Sequence, residues 1–287
     1  MSHKLYPGSI ISQTAPTVTG PTNGEGGSAS GIWTIEQADY YISQGTWPLP
    51  FILGGLWSWG LNENGQLGLG TSGTGTYKSS PNQVGSLTNW YITSEGSKFT
   101  LAVTGDNKLY AWGKNNTGQL GLNNTNYYSS PKQVGATSDW LQVCAGYAHT
   151  IGLRTNGTIW SWGNASYGAL GLGNSTYYSS PKQIGALTNW SQVSAGYYYC
   201  AAIKTDGTLW SWGYNVYGML GQGNTTNISS PKQIGTLTNW SFVVTGGDSY
   251  GVTLALKTDG TLWSWGANGT GQLGLGNTSY YSSPKQI

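Results

Sequence analysis

The chain has 287 residues, with 46 Gly, 15 Trp and 20 Tyr but only 8% charged residues and a formal net charge of +2. Ordinary globular chains carry roughly 7% Gly and about 25% charged residues. The near-neutral balance, with no basic block anywhere, excludes the electrostatic footprint of a nucleic-acid binder, and the aromatic content excludes a disordered chain.

Taken in chain order, Met1 to Ile10 lacks the apolar run of a secretory signal. No later stretch reaches the 18 or so consecutive apolar residues that membrane insertion requires. Residues 1–54 carry no repeat and read as an anchor and linker segment. Thr14 to Gly31 is rich in Ser, Thr, Gly and Pro, the composition of an extended or flexible linker. Thr34 with Gln37 fits a capping box, Gly45 fits a helix stop, and Ile35, Ala38 and Ile42 recur at helical spacing. One short amphipathic helix is therefore predicted, flanked by Trp33 and Trp47. A helix of about three turns cannot hold a fold alone and must dock, so Trp33, Ile35, Ala38, Ile42 and Trp47 are the candidate anchor residues.

Residues 55–287 are repetitive. An aromatic-Ser/Ala-Trp-Gly motif starts at Trp57, Tyr110, Trp160, Trp210 and Trp263, with spacings of 53, 50, 50 and 53. A Ser-Ser-Pro-Lys/Asn-Gln motif starts at Ser79, Ser129, Ser179, Ser229 and Ser282, and a third motif ends at Trp90, Trp140, Trp190 and Trp240. Three motifs in one phase are the signature of a repeat architecture. Each copy is predicted to be one antiparallel unit of four short strands. Asp206-Gly207, like Asn156-Gly157 and Asp259-Gly260, supplies a two-residue hairpin turn. In the strand that follows, Trp210 and Trp212 face one side while Leu209 and Ser211 face the other. That second face is small in every copy (Ser58, Ala111, Ser161, Ser211, Ser264), which lets a neighbouring aromatic face approach. The Gly-Gln-Leu-Gly-Leu-Gly runs recur in every copy without a following Gly-Lys-Ser/Thr, so they are turns rather than a phosphate loop.

Gly146 to Gly173, with its Gly-Tyr-Ala-His-Thr, Thr-Asn-Gly-Thr-Ile-Trp-Ser-Trp-Gly and Gly-Ala-Leu-Gly-Leu-Gly strings, resembles the regulator of chromosome condensation repeat. The resemblance covers about 56–287. It implies an all-β fold, a propeller of four-stranded antiparallel blades that protects its sheet edges radially. The family's exchange activity toward a small GTPase does not come with the fold. The family's motif His is present only as His149, with Phe99 and Tyr199 in the equivalent slots, so a structural role is expected. The fourth copy carries an insertion around Gly247-Asp248-Ser249. Four complete units and a leading half-unit do not close a ring by themselves. At this period the family's usual seven blades need roughly 350 residues, and the chain is expected to continue beyond Ile287. The segment from Gly27 to Pro48 resembles a short module of structural proteins in tailed bacteriophages, where it accompanies fibres and other virion appendages.

Catalysis finds no foothold. The 10 acidic residues fall singly, mostly on turns, the only His are His3 and His149, and no spacing of His, Cys and Asp suits a metal. No catalytic residue, metal or cofactor is expected, and Cys144 and Cys200 are expected to be free thiols. For binding, the loops before the Ser-Ser-Pro motifs carry Tyr77, Tyr127, Tyr128, Tyr177, Tyr178, Tyr280 and Tyr281 amid Asn, Ser and Thr, the composition of adaptable recognition loops. One Tyr of each pair is expected to pack between blades, and the ring of loops would add weak contacts by avidity. The expected function is a non-enzymatic virion protein, a tail or head fibre component. It would bind other virion proteins through its N-terminal segment, form a homo-oligomer on the particle, and display the propeller to a host-surface glycan or protein. The alternatives are a cellular, cytoplasmic adaptor for a protein partner and a purely structural decoration subunit.

Overall fold

The computed structural model describes residues 54–246 and 248–287, which are strand and turn apart from one 3-10 turn at Ser166–Gly168. The anchor residues Trp33, Ile35, Ala38, Ile42 and Trp47, and the helix expected around them, lie outside the described residues. Each full repeat folds as one four-stranded antiparallel sheet with its strands in chain order. The leading half-unit is a pair, β1 (Trp57–Gly60) with β2 (Lys78–Gln83), equivalent to the third and fourth strands of a blade. Blade one comprises β3 (Trp90–Glu95), β4 (Phe99–Thr104), β5 (Leu109–Gly113) and β6 (Tyr128–Gln133). Blade two comprises β7 (Trp140–Ala145), β8 (His149–Arg154), β9 (Ile159–Gly163) and β10 (Tyr178–Gln183). Blade three comprises β11 (Trp190–Ala195), β12 (Tyr199–Lys204), β13 (Leu209–Gly213) and β14 (Ile228–Gln233). Blade four comprises β15 (Trp240–Gly246), β16 (Val252–Lys257), β17 (Leu262–Gly266) and β18 (Tyr281–Gln286).

The hairpins between second and third strands turn where the sequence places them. Gly157, Gly207 and Gly260 take φ of 75°, 76° and 83°, and Asn107 takes 60° in the diverged first copy; these are left-handed values that a residue with a bulky Cβ resists. Asp206 Oδ1 accepts the Thr208 N–H and hydroxyl across its turn, which holds its carboxyl below the usual range.

Blades stack aromatic face to small face. Leu109 and Ala111 of blade one meet Trp140 and Trp162 of blade two. Ile151 and Ile159 meet Trp190 and Trp212, and Leu209 and Ile203 meet Trp240 and Trp265. The second aromatic of the motif in each of the four full blades (Trp112, Trp162, Trp212, Trp265) is fully buried, whereas Trp59 of the leading half-unit is exposed. Each of the four buried rings donates its indole N–H to a carbonyl of the preceding unit, on Gln66, Gln119, Ala169 and Met219, at 2.9–3.0 Å. Burying a side chain of this size without orphaning its N–H is what makes it a blade-to-blade peg. Close approach also demands glycine. A Cβ on Gly65, Gly118, Gly168 or Gly218 would come within 2.5–2.7 Å of Cα of Ser129, Ser179, Ser229 or Ser282 on the next blade.

The first strands of blades one to four run side by side around the axis and line a cavity of about 240 Å³. Two side-chain amides tie those of blades two to four together as a backbone would. Gln142 bonds both the N–H and the C=O of Val193, and Gln192 does the same to Val243, at 2.9–3.1 Å. Inside each of blades two to four a cation lies between two Trp rings. Arg154, Lys204 and Lys257 sit 3.8–5.0 Å from the ring centres of Trp140 and Trp160, Trp190 and Trp210, and Trp240 and Trp263. Cys144 and Cys200 are free thiols.

Candidate functional site: a tyrosine face across blades two to four

Antiparallel order brings the turn between strands one and two beside the loop after strand three. The N–H groups of Lys114, Asn164 and Tyr214 donate to the carbonyls of Lys98, Ala148 and Tyr198 at 2.8–2.9 Å. At this end of blades two to four the repeat symmetry breaks in favour of tyrosine. Where blade one carries Lys98 and Lys114, blade three carries Tyr198 and Tyr214.

The rings form two linked groups. Tyr147, Tyr197 and Tyr198 lie 4.6–5.6 Å apart between centres, and Tyr167 joins Tyr198 at 5.6 Å and Tyr214 at 4.7 Å. Farther along, Tyr217 stacks on Tyr250 at 5.0 Å and meets Tyr280 edge-on at 5.6 Å. Tyr147 is 43% exposed, Tyr167 50% and Tyr250 52%, with Tyr197, Tyr198, Tyr214 and Tyr217 half-buried beneath them. Burial first, then the neighbouring phenols, pushes the Tyr198 hydroxyl up to about 12. Tyr197 is raised for the same reasons, with the Asp248 carboxylate adding to them. Tyr197 and Tyr198 therefore remain protonated phenols at neutral pH, able to donate a hydrogen bond.

Tyr167 reaches the cluster through a local departure from the repeat. In the other units an Asn at the start of the loop brackets it. Asn115, for example, donates Nδ2–H to the Asn124 carbonyl and accepts the Leu120 N–H at Oδ1, each at 2.9 Å. Asn62, Asn215 and Asn268 do the same. Blade two has Ala165 there, with the amide displaced to Asn164, whose Oδ1 accepts the Ser166 N–H instead. The turn tightens into the 3-10 form and Tyr167 adopts φ 60°, ψ 12°, a costly conformation for a bulky residue.

Beneath the face lies His149, fully buried and stacked 6.4 Å from Tyr198. Its Nε2 is 3.3 Å from Cys200 Sγ, and its Nδ1 has no partner among the described residues. Burial lowers its pKa to about 4 and drives that of Cys200 well up. Both stay neutral, so neither is poised as a base or a nucleophile. In the equivalent slot of blade three, Tyr199 extends its hydroxyl to the carbonyls of Val252 and Gly246, at 2.7 and 3.1 Å. The insertion in the fourth copy thus frames an acceptor site for the neighbouring blade.

The tyrosines singled out in the sequence divide into two sets. Tyr77, Tyr127, Tyr177 and Tyr280 are exposed. Of these, Tyr280 joins the cluster, and Tyr177 adjoins it through a 2.9 Å hydrogen bond between its hydroxyl and Ser166 Oγ. No ring contact among the described residues brings Tyr77 or Tyr127 in. Tyr128, Tyr178 and Tyr281 open the fourth strands, half-buried against the inter-blade clusters. Each is covered by the Lys four residues on, at 5.3–5.7 Å. Sequence reasoning missed Tyr147, Tyr167, Tyr197, Tyr198, Tyr214, Tyr217 and Tyr250. For five of them the signal was available in Gly-Tyr-Ala-His, Gly-Tyr-Tyr-Tyr and Gly-Tyr-Asn-Val-Tyr-Gly, and for Tyr167 and Tyr250 in Ala-Ser-Tyr-Gly and Asp-Ser-Tyr-Gly. Among the described residues no cluster of His, Cys, Asp and Glu could hold a metal, and no helix is long and apolar enough to cross a membrane.

The blade pattern and the sequence agree on an affiliation. The sequence model of the RCC1-like domain matches residues 52–287. The chain belongs to the RCC1-like domain family. Human protein RCC2 is 42% identical to this RCC1-like chain over 73 residues, 25% of this chain and 13% of RCC2. The structure of human WBSCR16 superimposes with a TM-score of 0.72 at 24% identity, covering 82% of this chain and 63% of that one. Prp20p from Saccharomyces cerevisiae, studied for its binding to Gsp1p and histones, gives 0.70 at 20% identity, covering 83% and 60%. Yeast RCC1 (Prp20) bound to Kap60 gives 0.71 at 20% identity, covering 94% and 64%. The chain thus spans under two thirds of these solved relatives, and about an eighth of RCC2. The likeness to the solved structures shows the fold.

Proposed function

We propose that this RCC1-like chain is a non-enzymatic, protein-binding propeller, an adaptor that meets its partner with the tyrosine face of blades two to four. The observation that carries the reading is the cluster itself: eight tyrosines in two contacting groups, of five and three, at one end of three successive blades, where blade one carries Ser97, Lys98, Lys114 and Thr117. Tyr gives a large amphipathic contact at low entropic cost, is enriched at interface centres and pairs well with protein surfaces. Proteins are the partner class named for yeast Prp20p, whose fold this chain shares. The virion-display reading rests on residues 1–54, of which only Gly54 is described, and the relatives named above are human and yeast proteins.

The test is retention. The chain and a Tyr147→Ser/Tyr167→Ser/Tyr198→Ser variant, matched for cooperative thermal unfolding, are immobilised and exposed to lysate of the source cells. The expected result is a protein held by the parent and lost by the folded variant; equal retention by both would contradict the reading.

A further inference from the structure

The tyrosine face is chemically one-sided. Across its eight rings there is no Lys or Arg, and the charge beside it is Asp248. Asp248 accepts the Tyr250 N–H at Oδ1 and has no ion-pair partner among the described residues, whose three salt bridges all lie elsewhere. The basic residues at this end of the molecule, Lys98 and Lys114, belong to blade one, where Lys98 pairs with Glu63 at 3.2 Å. The face therefore runs from basic at blade one to aromatic and acidic at blades three and four.

The rest of the molecule shows what its aromatic rings pack against. Trp pairs in blades two to four each hold a cation between them, and Tyr128, Tyr178 and Tyr281 each lie under a Lys of their own strand. None of the cation–ring contacts among the described residues involves the eight tyrosines of the face. The rings of Tyr147, Tyr167, Tyr250 and Tyr280 are exposed, and the unpaired Asp248 carboxylate lies beside Tyr250 and Tyr197.

We propose that the partner segment received here is basic, an extended peptide whose Arg or Lys side chains lie over the rings of Tyr147, Tyr167 and Tyr198 and pair with Asp248. This deepens the protein-binding reading and rests on it. A cation over an aromatic ring is attracted by the ring quadrupole, and Arg does this best because its planar group also stacks. The phenol hydroxyls supply donors for the carbonyls of such a peptide. The formal net charge of +2 gives a polycation no general attraction to the molecule, so capture must come from this local field.

The experiment is fluorescence anisotropy of a labelled hexa-arginine peptide with the full chain, with hexa-lysine and hexa-glutamate as comparators. Hexa-arginine is expected to bind more tightly than hexa-lysine and to weaken as salt rises, while hexa-glutamate does not bind. Tyr167→Ser/Tyr198→Ser should weaken it about tenfold. Asp248→Asn, an exposed change with no burden on folding, should weaken it about threefold. Absent binding of hexa-arginine, binding indifferent to both variants, or preference for hexa-glutamate would overturn the proposal. If hexa-arginine fails while the serine variant still loses its lysate partner, the basic class falls and the interaction face stands. If the variant also keeps its partner, both fall.

Discussion

At the scale of single residues, His149 shows how a family motif position is held by packing. Phe99, His149 and Tyr199 occupy one slot in three blades, each ring covering a glycine three residues before it (Gly96, Gly146, Gly196). Of the three side chains only the imidazole titrates near neutrality, and in the fold its pKa falls from 6.5 to about 4. Between those values the unfolded chain binds a proton that the folded chain refuses. Stability is therefore complete above pH 6.5 and drains away as pH falls, by about 1.4 kcal/mol for each pH unit of the gap. Urea unfolding at pH 7 and pH 5 should show a loss of about 2 kcal/mol at the lower pH. His149→Phe, which copies blade one, should flatten that dependence. An unchanged slope in the variant would mean that other groups carry it.

At the scale of the element, the loop of blade two is where one misplaced amide alters a surface. Ala165 offers neither the donor nor the acceptor that Asn115 and Asn215 use to bracket their loops, and Tyr167 sits at φ 60°. At the equivalent positions Asn64, Thr117, Tyr217 and Thr270 have no such left-handed φ. Ala165→Asn should restore the bracket to Leu170 and Asn174 and relax Tyr167. The gain should be about 1 kcal/mol, read as a raised urea midpoint. The same change should draw Tyr167 off Tyr198 and Tyr214 and weaken hexa-arginine binding. A stabilised variant with undiminished peptide binding would show that the strained tyrosine contributes nothing to the face.

At the scale of the whole molecule, the repeat logic was legible in the sequence because it depends on local rules. The Trp-Ser-Trp-Gly alternation sets the two blade faces, and the Asp-Gly turns set the register. The small residues Ala111 and Ser211 mark where a neighbour must come close. The binding face was less legible because adjacency there is made by topology. Tyr198 and Tyr214 are brought together by antiparallel order, and Tyr147 meets Tyr197 only because consecutive blades stack. The tyrosines nearest the Ser-Ser-Pro motif drew attention by composition, yet Tyr128, Tyr178 and Tyr281 lie beneath lysines of their own strands. The most direct measurement of the central claim is site-specific photo-crosslinking with benzoyl-phenylalanine. One probe replaces Tyr147 on the tyrosine face, and another replaces Leu187, exposed on the connection at the opposite end of the blades. The account expects a discrete protein adduct from position 147 and none from position 187. Adducts from 187 alone would contradict it.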